Sequence, residues 1–127
     1  VLQSAPSSCG AAAAATLLRA LALDPAATEA ELAARCWTDP RRGTSDLGLF
    51  RGLRLSAPER AVRFAWPGLE GLRARTTPCL VFVGLDRGAP TTPDHRVALR
   101  DQAGWAEGVT HAVVFYELTQ DAEGECV

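Results

Sequence analysis

The sequence predicts an α+β domain with N-terminal helices packed on an antiparallel sheet. Helical patterns come first along the chain and strand patterns afterwards, an order that suits segregated layers better than alternating βαβ units. The 127 residues, 47% hydrophobic and 22% charged, suffice for one core and not for two, so residues 1–127 read as a single domain. The chain starts at Val1 and holds no methionine, as expected of a piece processed or excised from something longer.

Residues 9–23 read as a helix, because Ala14, Leu17, Leu18 and Leu21 recur at the spacing of one apolar face. The block Ala11 to Ala15 suits a central helix that its neighbours approach closely, and Asp24-Pro25 is its expected end. Thr28-Glu29-Ala30-Glu31 is a capping box opening a short helix through Cys36. A loop at 39–43 follows, then Ser45 caps a third helix whose Leu47, Phe50 and Leu53 are expected to face inward. Alternation in RAVRFAW (60–66) predicts a strand, with Val62, Phe64 and Trp66 on one side. PGLEGLRAR (67–75) predicts a short helix with Pro67 near its start. PCLVFVGL (78–85) is a continuous apolar run, suited to a central strand covered on both faces. Residues 86–110 read as a long loop interrupted by a strand at 96–100; THAVVFYEL (110–118) is the clearest strand, and a turn at 120–125 follows it.

Composition narrows the chemistry. A net charge of −2 gives no basic footprint for nucleic acid. No apolar run approaches the ~20 residues of a bilayer span, and no signal peptide is visible. Thirteen arginines without lysine, asparagine, isoleucine or methionine suggest a GC-rich bacterial genome. They also exclude lysine Schiff-base chemistry and any role that needs asparagine. The cysteines at 9, 36, 79 and 126 form no C-x-x-C pair, which speaks against a zinc site, and no metal or cofactor is predicted. Disulfides stay open, since four is even. Cys36 and Cys79 read as buried hydrophobes.

Cys9 differs because it sits at a loop-to-helix junction. Ser7-Ser8-Cys9-Gly10 can be read as a capping turn with a small apolar residue in it. It can equally be a nucleophile, because a helix N-terminus favours a thiolate. A nucleophilic cysteine needs a base, and the histidines are His95 and His111. His95 lies in a proline-flanked loop. His111 opens a strand, where the sheet would fix it beside a cleft, although position alone favours an ordinary strand-end histidine.

In order along the chain, LQSAPSSCGAAAAATLL, EAELAARC, GTSDLGLFRGL, PCLVFV and HAVVFYEL resemble the bacteriocin-processing peptidase family. These are papain-like cysteine peptidases, found as N-terminal domains of peptide-exporting ABC transporters and as stand-alone relatives. The resemblance implies a papain-like fold in which Cys9 attacks the scissile carbonyl and His111 is its acid–base partner. Gln3 would donate to the oxyanion together with the Cys9 backbone N–H. It implies a peptide or protein substrate, often a leader ending in two glycines, and a transporter or membrane anchor in the full-length chain. It leaves localisation open between the cytoplasmic domain of an exporter and an exported or tethered peptidase. Gly43-Thr44-Ser45 reads as a loop and cap without chemistry.

Two departures stand out. Ala11 follows Cys-Gly where the family often has proline or leucine. The family also orients its histidine with an aspartate on the next strand, at a spacing that here falls on Val127, the last residue. Strand register agrees: with a turn near Asp121-Ala122, Leu118 pairs near Glu125 and the partner of His111 falls past the end. The third residue is therefore expected just beyond Val127, with Asp94 and Asp101 in the loop as alternative carboxylates; Asp121, Glu123 and Glu125 are near in sequence, but the turn points them away from the His111 end of the strand. Two other functions fit the same residues: a non-catalytic peptide-binding module of this fold, and a relative that passes its acyl group to an amine.

Overall fold

A computed structural model describes residues 1–84 and 110–117. Over these it is α+β: four helices, α1 (Cys9–Ala20), α2 (Glu29–Arg35), α3 (Asp46–Ser56) and α4 (Gly68–Arg73), and an antiparallel pair of strands, β1 (Cys79–Gly84) and β2 (Thr110–Phe115). The expected strand at 96–100, His95, the turn at 120–125, Cys126, Val127 and the carboxylates at 94, 101, 121, 123 and 125 lie outside the described residues.

Helix α1 is the centre of the fold. Its Ala11, Ala14, Ala15 and Leu18 join Ala27, Leu32, Cys36 and Leu49 in the core, and Leu23, Leu53 and Leu80 pack on the margin. Residues 11, 14, 15 and 18 trace one stripe of a 3.6-residue helix, and its three alanines let neighbouring elements close on it, with α2, α3 and β2 all packed against the helix. The helix is shorter than the expected 9–23. It stops at Ala20 because Ala22 turns left-handed (φ 52°), the Leu23 N–H donates to Leu18 O (2.9 Å) and the Ala22 N–H donates to Arg19 O (3.0 Å). That is a Schellman ending, built on alanine where glycine is usual. Leu21, expected on the buried face, is 37% exposed.

The capping box of α2 is present as predicted: Thr28 accepts from the Glu31 N–H, and the Glu31 carboxylate accepts from the Thr28 N–H. The helix ends in a second Schellman turn, with Trp37 left-handed (φ 53°) and the Thr38 N–H donating to Ala33 O (2.9 Å). Ser45 caps α3, accepting from the Gly48 N–H at 3.1 Å.

Three expectations are corrected. Helix α3 does not turn Leu47 and Phe50 inward: they are 78% and 36% exposed, whereas Gly48, Leu49 and Gly52 are buried. The two glycines decide the orientation, since a Cβ at Gly48 would strike Cys36 O and one at Gly52 would strike Cys36 Sγ. Residues 60–66 are not a strand; alternation supplies a face but no pairing partner among the described residues, and Phe64 stacks on Phe50 instead (5.9 Å between centroids). β1 is not covered on both faces, because Phe82 is 43% exposed, and Cys79 is half-buried rather than buried. Pro67 stands one residue before α4, as its N-cap. Among the described residues Cys9, Cys36 and Cys79 are free thiols.

Candidate active site

Three elements converge on an open cleft of about 520 Å³. One wall is the N-terminal segment with Gln3, another is α1 through Cys9, Ala12, Ala13 and Thr16, and the third is β2 from His111 to Val114. On α1 these residues stand at i, i+3, i+4 and i+7, a stripe of their own beside the core stripe. The helix thus works on two sides, and both are surfaced with small residues.

Cys9 is the first residue of α1 and is half-buried. Ser8 occupies the N-cap position, but its side chain makes no cap bond, contrary to the capping turn expected from Ser7-Ser8. Its hydroxyl instead accepts from the Ala5 N–H (3.1 Å) and donates to Ala5 O (2.8 Å). The N–H groups of the first turn, which have no partner within the helix, are thus left uncapped by a side chain beside the thiol. Gly10 is fixed by packing: a Cβ there would lie 2.8 Å from Thr44 Cβ, so the loop at 38–44 sits directly against the start of α1. That loop is closed by the Asp39–Gly43 bridge and by a Thr38–Thr44 hydroxyl bond of 2.7 Å.

His111 lies on β2 opposite Val83 and is 8% exposed; among the described residues it and Ser8 are the buried polar side chains. Burial holds its imidazole below the usual histidine value, favouring the neutral ring. Gln3 is half-buried, and its side-chain amide donates to Ala5 O at 3.1 Å, so one of its two N–H bonds is used within its own loop. Cys36, by contrast, lies under α3, and burial raises its thiol to about 11.

The structure therefore brings Gln3, Cys9 and His111 to one cleft. Reasoning from sequence missed the supporting residues. Ala12, Ala13 and Thr16 follow from Cys9 by helical spacing, and that signal was available. Thr44 and Glu29, which brace the start of α1 and the loop before it, depend on tertiary contacts between separate segments.

No family model, curated protein or solved structure matches this chain.

Proposed function

We propose that this chain is a papain-like cysteine peptidase, acting on a peptide through Cys9 and His111. The observation that carries the reading is the meeting of Gln3, Cys9 and His111 in one cleft, drawn from opposite ends of the chain. A half-buried thiol at an uncapped helix start and a buried imidazole on the facing strand are the parts that acyl transfer needs.

In this reading the neutral His111 ring takes the proton from Cys9 as sulfur attacks the scissile carbonyl carbon. The oxyanion is met by the Cys9 backbone N–H and the Gln3 amide. His111 then gives its proton to the leaving amine, and water resolves the thioester with His111 again as base. A leader ending in Gly-Gly is the substrate that the family resemblance implies.

The test is turnover of an acyl-Gly-Gly-aminomethylcoumarin. Cys9→Ala and His111→Ala should abolish it, and Gln3→Ala should lower kcat about 10²- to 10³-fold. Turnover that survives Cys9→Ala overturns the peptidase. The bond from Gln3 to Ala5 favours one second reading, a peptide-binding module without cleavage. In that case the wild-type chain would bind the peptide and leave it intact.

A further inference from the structure

We propose that Glu29, on the first turn of α2, is a positioning residue for the loop that carries Gln3 and delivers Cys9. The inference rests on the peptidase reading. The Glu29 carboxylate accepts from the Ser4 N–H (2.9 Å) through one oxygen and from the Ser4 hydroxyl (2.7 Å) through the other. Ser4 follows Gln3 directly. One residue further on in the same network, Ala5 O accepts from the Gln3 amide, the Ser8 N–H and the Ser8 hydroxyl. Burial opposes ionisation of Glu29, but the Ser4 bonds, with the Ser8 hydroxyl nearby, outweigh it and hold the carboxyl below the usual range.

The loop has no regular structure, and its internal bonds among Gln3, Ala5 and Ser8 leave the Ser4 N–H and hydroxyl to find a partner outside it. Glu29 supplies that partner from a helix whose own start is secured by the Thr28–Glu31 capping box. The capping box does not use the Glu29 carboxylate, which leaves both of its oxygens for Ser4. A bidentate charged acceptor on a neighbouring helix fixes both distance and direction of the loop. Release of that clamp would let Gln3 and the start of α1 drift together, and displacements near 1 Å are enough to slow a positioned reaction.

The test follows kcat and KM of the whole chain on the same acyl-Gly-Gly-aminomethylcoumarin, with Tm measured alongside. Glu29→Ala should lower kcat about 10- to 100-fold while KM changes by less than about twofold. Glu29→Gln, whose amide oxygen still accepts from the Ser4 N–H, should restore most of that loss. Ser4→Ala removes only the hydroxyl and should fall between, which keeps the proposal testable if Glu29→Ala fails to fold. An unchanged kcat in Glu29→Ala, or a loss that Glu29→Gln does not repair, overturns the clamp and leaves the peptidase standing. A wild-type chain without Cys9-dependent turnover overturns the peptidase instead. The clamp is then judged by hydrogen exchange at the Ser4 amide: slow exchange that Glu29→Ala accelerates supports it, and fast exchange in the wild type overturns it.

Discussion

Gly10 and Thr44 stand so close that the hydrogen on the Gly10 Cα occupies the space a methyl group would need: a Cβ there would come within 2.8 Å of Thr44 Cβ. Alanine normally gains about 1 kcal/mol over glycine inside a helix. Overpacking of this kind costs about 1–3 kcal/mol, so the steric term should win. Gly10→Ala is expected to lower stability in urea unfolding, and Thr44→Gly should recover part of the loss in the double variant.

Stability should respond to pH through His111. Its imidazole titrates below the ordinary 6.5, so between that value and its own the unfolded chain binds more protons than the folded one. The stabilisation is complete above 6.5 and drains away as pH falls through the lower folded value. Urea midpoints measured from pH 8 to 5 should decline below 6.5, and His111→Gln should flatten that part of the curve.

Ala22 holds a left-handed conformation that costs an L-residue about 1–2 kcal/mol. Ala22→Gly should therefore raise stability by about 1 kcal/mol. Trp37→Gly should gain less, because Arg51 lies over the indole ring at 3.9 Å. An exposed contact of that kind contributes about 0.5–1 kcal/mol, which offsets much of the relief. Urea unfolding of the two variants side by side checks the order.

Thiol reactivity should separate the cysteines. Cys9 opens onto the cleft, whereas Cys36 is buried with its thiol raised to about 11. Limiting iodoacetamide at neutral pH should modify Cys9 first, as mapped by mass spectrometry, with Cys36 last. Equal labelling of the two would contradict the assignment.

The helices were legible where side chains carried contrast. The capping box of α2 and the Ser45 cap of α3 are written in local residue types, and both are present. The apolar face of α1 could be followed through Ala14, Leu17 and Leu18, all of them buried, whereas its second stripe follows only from the spacing to Cys9, because alanine on both sides gives little contrast in polarity. For α3, size misled: Leu47 and Phe50 seemed the natural anchors, yet two hydrogens at Gly48 and Gly52 allowed the closer approach. The residues from 60 to 66 alternate like a strand, but pairing depends on a neighbour that a local pattern cannot provide. Within the candidate site, Gln3, Cys9 and His111 could be named from motif order. Glu29 could not, because nothing local ties it to Ser4, 25 positions away.

The glycine seat beneath α3 makes Cys36 a latch sensor. Its sulfur fills the space where a Gly52 side chain would go, so a reagent reaches it only after α3 has lifted away. Its labelling rate then counts the events that expose it, whether α3 lifts alone or the whole chain unfolds. If the latch opens alone, the rate will stay constant under conditions that alter global stability elsewhere, such as Ala22→Gly. If instead the rate follows every change in global stability, α3 and the rest of the described fold open as one unit.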